Sequence, residues 1–294
     1  MVDRASRVAN RFSMAGRRAL VTGGSVSIGR SIALVFADAG ADVAIHHARA
    51  ADAAFGKPDA AVETAGLIRQ SGSKCAVVEA DFERHGEARR SVEAAIAALG
   101  GVDVLVICAS IQYRAPFDAV TPEQIDRQIQ INFKATIELL QAGLPPMKER
   151  GWGRVITIGS INQTNPEAQL SVYAALKSAQ QNLALNLARQ YAPFGVTINN
   201  ISPGLIATER NRWRREDTSA WAEIERGSSP MGRAGTPDEI AGAALLMCSE
   251  AGSFITGADL QVTGGRHLSD GNANRGSGNP PTSTLTAKSA PASG

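Results

Sequence analysis

Residues 18–29 read RALVTGGSVSIG. The first five form an apolar run of strand length, and Gly23, Gly24 and Gly29 follow at once. The next stretch, 29–39, has the apolar spacing of a helix. A glycine-rich turn from a first strand into a helix lets the backbone approach a pyrophosphate at the helix N-terminus. Glycines also serve ordinary turns. The position of this cluster, directly after the first strand, favours the phosphate reading.

The same rhythm runs outward from this unit. Strands are expected at 18–22, 42–46, 74–78, 103–107, 154–158, 197–201 and 259–262. Several are unbroken apolar runs, as expected for strands covered on both faces. Helices are expected near 29–39, 60–71, 84–99, 122–149, 171–191 and 237–249. Thr121, Pro122 and Gln124 form a capping-box start for the fourth, and Thr236, Pro237 and Glu239 for the last. Strict alternation of strand and helix predicts an α/β chain with about seven parallel strands and helices on both faces. One domain is expected over 12–270, with a flexible segment at 1–11. Residues 271–294 are rich in Gly, Ser, Pro, Thr and Ala and are expected to be disordered.

Composition bounds the function. The chain has 294 residues, 44% hydrophobic and 20% charged, with a net charge of +2. This near-neutral balance argues against nucleic acid as a partner. No apolar run reaches ~18 residues, so no membrane span is expected. Cys75, Cys108 and Cys248 are few and scattered, which disfavours a disulfide framework or a zinc site and makes the cytoplasm the default. No His/Cys/acid cluster has ligand spacing, so no metal is expected.

Tyr173 and Lys177 carry the chemistry. Four residues apart on a helix, they share one face. A phenol alone titrates near ~10. A fixed positive charge beside it stabilises the phenolate, which proton exchange with an alcohol oxygen requires. Ser160 precedes Tyr173 by thirteen residues. Alone, the Tyr-x-x-x-Lys spacing has many chance matches.

In their order, these segments resemble the classical short-chain dehydrogenase/reductase family over roughly 14–268. The loop resembles its TGxxx[AG]xG through Thr22, Gly23 and Gly29. Asn132 in INFKAT, Ser160 after RVITIGS, and Tyr173 with Lys177 match its catalytic set. Pro203-Gly204 and Thr208 match its PG turn and the position that meets the nicotinamide carboxamide. MGRAGTPDEIA and ITGADLQVTGG resemble its C-terminal signatures. Two positions depart: Ser27 replaces Gly or Ala, and the NNAG motif reads Ile107-Cys108-Ala109-Ser110. The Ser27 hydroxyl is expected either to bond the pyrophosphate or to face solvent. Cys108 is expected to be a buried filler.

The resemblance implies a single-domain, Rossmann-like doubly wound fold and a nicotinamide cofactor. It implies that Ser160 holds the substrate oxygen and Tyr173 exchanges its proton. Lys177 assists the phenol and holds the nicotinamide ribose, while the Asn132 backbone holds a water of a proton relay. Cofactor contacts are implied for Gly23, Ser25, Ser27, Ile28, Gly29, His47, Arg49, Asp81, Ala109, Tyr173, Lys177, Pro203, Gly204, Ile206 and Thr208. Residues 46–49 read HHAR, with no acid at the strand end to accept from a ribose 2′-OH. Arg49, aided by His47, is expected to pair with a 2′-phosphate, so NADP is favoured over NAD. Val26 counts against this, since NADP-preferring relatives often carry a basic residue there.

The substrate surface is expected from 108–114, 161–170 and 205–232, the last a lid. Gln112, Asn162 and Gln163 are its polar candidates. They point to a sugar, polyol or other oxygen-rich carbonyl compound, or to a 3-oxoacyl thioester. In the lid, Arg210, Arg212, Arg214 and Arg215 are expected to face water over an inward Trp213 and Trp221, in preference to meeting an acidic substrate. Family resemblance implies a homotetramer or homodimer, with 122–149, 171–191 and the last strand at interfaces. A dinucleotide sensor or scaffold without turnover is the alternative function, motivated by Ser27 and the ICAS segment.

Overall fold

The computed structural model describes residues 4–268. Seven parallel strands form one sheet in the order β3-β2-β1-β4-β5-β6-β7. They are β1 (Arg18–Thr22), β2 (Asp42–His47), β3 (Cys75–Glu79), β4 (Val104–Ile107), β5 (Gly153–Ile158), β6 (Val196–Pro203) and β7 (Asp259–Val262). The helices are α1 (Arg4–Phe12), α2 (Ser27–Asp38), α3 (Arg49–Ala54), α4 (Ala60–Gln70), α5 (Glu87–Leu99), α6 (Pro122–Ile129), α7 (Ala135–Arg150), α8 (Ser171–Tyr191), α9 (Thr218–Ser228) and α10 (Pro237–Cys248). The expected seven-stranded sheet is therefore present, with strand ends shifted by one or two residues. None of these helices is long and apolar enough to cross a membrane.

Each sheet face carries its own core. On one face α2 and α10 pack through Ala33, Ala37, Ala241 and Ala244, small residues that let the helices approach closely. On the other, Val92 of α5, Leu139 and Leu144 of α7, and Ala184 and Ala188 of α8 cover Leu20, Leu105 and Val155. Chain order reverses at β1, which lies between β2 and β4. That switch point opens a crevice at the carboxyl ends of the strands, where ligands bind in open α/β sheets.

Three expectations change. The helix expected over 122–149 is divided into α6, a π-helical turn at Gln130–Lys134, and α7. Its start holds: the Thr121 hydroxyl accepts from the Gln124 amide at 3.3 Å, and the Gln124 side chain accepts from the Thr121 amide at 3.2 Å. The N-terminal stretch expected to be loose carries α1. No helix is expected between the second strand and residue 60, yet Arg49–Ala54 forms α3. The expected disordered tail, 271–294, lies outside the described residues.

Candidate active site

A cavity of about 860 Å³ fills the crevice. That size is within the range of small-molecule and cofactor pockets. All the residues singled out for cofactor, substrate or catalysis line it except Arg49, Asn132 and Gln163.

The glycine turn forms its floor. Gly23 has φ +64°, and a side chain at Gly29 would collide with the Gly23 carbonyl. The turn is thus closed to side chains and open to a ligand's phosphates, which fits a dinucleotide. Ser27 adopts φ +53°, a left-handed conformation uncommon outside glycine. The residue lines the cavity, and its hydroxyl also makes a contact that was not expected. It accepts the Glu209 amide at 3.0 Å and ties the lid to the glycine turn.

His46 is buried and stacked on Phe82 at 3.9 Å. Its Nδ1 accepts the Gly23 amide at 3.2 Å, so Nε2 carries the proton and donates to the Ala80 carbonyl at 3.1 Å. Burial pushes its pKa down to about 4. His47 donates through Nδ1 to Asp52 at 2.8 Å, and the other Asp52 oxygen accepts from the Ser25 hydroxyl at 2.7 Å. Asp52 is buried and lines the cavity from α3. It is an acid at the adenosine end that sequence reading missed. Its signal was faint, since it stands five residues past the strand. Arg49 departs from its expected place. Its guanidinium makes a bidentate pair with Glu79 at 3.0 and 2.7 Å, on the exposed side of α3.

Tyr173 and Lys177 lie on the buried stripe of α8, with Gln180, Ala184 and Ala188. The spacing is that of one helix face, so the same periodicity that packs α8 delivers both side chains to the cavity. The Lys177 Nζ stands 5.8 Å from the Tyr173 ring centroid. It donates to the Ile158 carbonyl at 2.6 Å and to the Gln180 Oε1 at 3.0 Å. Burial, reinforced by nearby Arg210, lowers the Lys177 pKa to about 7. Ser160 stands two residues past β5 and caps the turn that follows, its hydroxyl accepting from the Asn162 backbone and side-chain amides at 3.1 and 3.3 Å. Both bonds use its lone pairs, which leaves the hydroxyl proton free to donate.

Asn132 sits in the π-helical turn, buried. Its side chain accepts from the Ile111 amide and donates to the Ile111 carbonyl, both at 2.8 Å. Its own carbonyl accepts from the Thr136 hydroxyl at 3.0 Å, and Thr136 accepts from Gln180 at 2.9 Å. A chain of side chains, Gln180 and Thr136, therefore joins Lys177 to Asn132. Sequence reading missed Gln180, although its offset of three from Lys177 marks the same helix face.

Gln163 does not face the substrate space. Its side chain accepts from the Ser160 amide at 3.3 Å and donates to Ser202 at 2.7 Å and Asp259 at 3.0 Å. Asn200, Gln181 and Gln261 also donate to Asp259. The half-buried carboxylate draws the amide donors around it together. Gln163 thus buttresses the strand end that carries Ser160. The lid also departs from expectation. Arg210 and Arg214 line the cavity, while Trp213 is 65% exposed.

Comparison with known proteins agrees with this geometry. A family model described as enoyl-(acyl carrier protein) reductase matches residues 23–267. The 7alpha-hydroxysteroid dehydrogenase of Escherichia coli is 32% identical over 85% of this chain and 94% of its own length. The structure of a 3-oxoacyl (acyl-carrier-protein) reductase from Agrobacterium tumefaciens with NADP bound superposes with a TM-score of 0.84. It is 41% identical and covers 90% of this chain and 100% of its own. A provisionally assigned NAD(P)-dependent gluconate 5-dehydrogenase from Beutenbergia cavernae, with NADP bound at low occupancy, gives a TM-score of 0.79 at 34% identity, covering 87% of this chain and 98% of its own. With the doubly wound sheet, the glycine turn and the Ser160, Tyr173 and Lys177 cavity, these matches establish that the chain belongs to the short-chain dehydrogenase/reductase family.

Proposed function

We propose that the protein is an NADP-dependent oxidoreductase that interconverts an alcohol and a carbonyl, with Tyr173 as the general acid and base. The observation that carries this reading is the shared buried stripe of α8, which turns Tyr173 and Lys177 into the cavity that Ser160 also lines. The bound nicotinamide supplies or accepts the hydride. The chain's own residues orient and protonate. The free hydroxyl proton of Ser160 holds the substrate oxygen, and Tyr173 gives that oxygen a proton on reduction and takes it back on oxidation. The Lys177 ammonium, held by Ile158 and Gln180, favours the phenolate.

The substrate class is a polar carbonyl or alcohol, a sugar or polyol type or a 3-oxoacyl compound. Gln112 and Asn162 on the cavity wall support it, as do the names of the gluconate and 3-oxoacyl relatives. NADP is favoured over NAD because no acid stands at the end of β2 and several structural relatives carry NADP. His47 is the basic residue of β2 that lines the adenosine end, and Asp52, the acid there, has both oxygens engaged. The same reading takes the protein as cytoplasmic and as a homotetramer or homodimer that meets through α7, α8 and β7.

The test is a panel of sugars, polyols and 3-oxoacyl thioesters, read by nicotinamide absorbance with both cofactors. Tyr173→Phe is expected to cut turnover by roughly 10²–10⁴-fold, the usual weight of a general acid–base group. NADPH affinity is expected to survive. A Phe variant with near-wild-type turnover overturns the assignment, and absence of turnover across the panel favours the sensor alternative.

A further inference from the structure

We propose that Arg210 and Arg214 form a carboxylate-binding site at the substrate end of the cavity, so that the molecule reacting at Tyr173 is an acid. This rests on the oxidoreductase reading above and names its substrate class.

Most of the cations that face the cavity are already engaged. Arg114 is bound by Glu167 at 2.5 and 2.9 Å. Arg127 is bound by Glu83. Lys177 donates to Ile158 and Gln180. Arg266 donates to the Gly227 and Ser228 carbonyls at 3.2 and 3.0 Å. Asp52 is held by Ser25 and His47. Arg210 and Arg214 remain. Among the described residues, neither has a carboxylate within 4.0 Å, although both line the cavity. Their lid neighbours differ. Arg212 points outward and reaches Glu209 at 4.0 Å, and Arg215 donates to the Thr208 carbonyl at 3.0 Å.

Arg210 is positioned, not loose. Its Nη2 donates to the Ser110 carbonyl at 2.7 Å and to the Ser110 hydroxyl at 3.2 Å. Ser110 stands where the NNAG motif has glycine, so this departure supplies the hydroxyl anchor. Nε and Nη1 of Arg210 make no hydrogen bond to the described residues. They lie on different edges of the guanidinium, so each is a single charged donor left for a carboxylate oxygen. Arg210 also lies close enough to Lys177 to disfavour its charge. Cys108, the other ionisable neighbour, is pushed up to about 11 by burial and offers no anion at neutral pH. Two half-buried cations thus line this cavity with no carboxylate within 4.0 Å, Glu167 being a more distant neighbour of Arg214, and a bound anion would complete their pairing.

The cofactor's phosphates are expected at the Gly23–Gly29 turn, which Glu209 touches through Ser27, so the test is built to tell the two anions apart. Arg214 lines the wall that also holds Glu167 and Arg266. Glu167 is committed to Arg114, and Glu223 is the other acid near the lid.

The test measures binding of matched acids and neutral partners to the full-length, NADPH-loaded protein by calorimetry. The probes are D-gluconate against D-glucose, 5-keto-D-gluconate against D-fructose, and acetoacetate against methyl acetoacetate. At least one acid is expected to bind at least tenfold more tightly than its partner. Arg210→Met and Arg214→Met are each expected to weaken that acid by about tenfold or more, the weight of a charged hydrogen bond. The neutral partner and NADPH should change less than about twofold in the folded variants, and Arg212→Met should change nothing. Either arginine variant suffices if the other does not fold. Equal or better binding of the neutral partner in every pair overturns the proposal. So does an Arg210→Met loss that falls on NADPH and leaves the acid preference intact, since the arginine then serves a cofactor phosphate. Binding is read without turnover, so the two readings fail separately. A protein that binds acids but reduces nothing keeps this site and loses the reaction; one that reduces only neutral carbonyls does the reverse.

Discussion

The Lys177 ammonium lies 3.0 Å from Oε1 of Gln180, and the Gln180 amide continues through the Thr136 hydroxyl to the Asn132 carbonyl. Gln180 is therefore a positioning residue for the charge beside Tyr173. All four side chains are buried.

Gln180 accepts from the charged form of Lys177 and so stabilises it. Gln180→Leu removes that acceptor and drives the Lys177 pKa further below about 7. A charged hydrogen bond of roughly 1.5–3 kcal/mol corresponds to about one to two pH units. If turnover needs charged Lys177, the alkaline limb of the kcat profile moves to lower pH by about that amount. A merely structural role for Gln180 would lower the rate at every pH and leave the limb in place. A full pH–rate profile of both proteins checks this.

The Arg49–Glu79 pair and the buried Asp52 give a cofactor prediction. Arg49→Ala breaks an exposed, solvent-screened ion pair that contributes little. The ratio of kcat/KM for NADP to that for NAD is expected to move by less than about fivefold. Asp52→Asn removes a negative charge from the adenosine end and is expected to raise the same ratio. Steady-state kinetics with both cofactors measure it. A collapse of NADP preference in Arg49→Ala would restore the 2′-phosphate role that Arg49 was expected to have.

His46 gives a stability prediction. Its folded pKa is about 4, against about 6.5 for an unperturbed imidazole. Between those values the unfolded chain binds more protons, so stability rises with pH. The contribution is present in full above about 6.5 and is lost as pH falls toward 4, up to about 3 kcal/mol. Urea unfolding at pH 7 and pH 5 is expected to show the wild type weaker at pH 5. His46→Gln is expected to be less stable at pH 7 but to have a flatter dependence.

Much of this was legible in the sequence for a physical reason. Strand and helix periods, the Gly23–Gly29 turn and the Tyr173–Lys177 offset are local, set by residues a few positions apart. The paired helix faces and the seven strands followed from them. Local periodicity does not show the π-helical turn at Gln130–Lys134, because it is tied to a long-range contact between Asn132 and the Ile111 backbone; the family resemblance alone implies an irregularity at Asn132. Residue type alone placed Gln163 among the polar groups of the pocket. A half-buried acid on β7, Asp259, draws it away.

The sequence by itself determined the doubly wound fold, the crevice and the side chains proposed to react there. Only the tertiary structure decided what the remaining charges do. It paired Arg49 with Glu79, brought Asp52 to the adenosine end, and fixed Arg210 on Ser110, a hundred positions away in the chain. Such pairings depend on which loops meet above the sheet. A charge has no period along the chain, and its partner is known only once the strands have set the loops side by side.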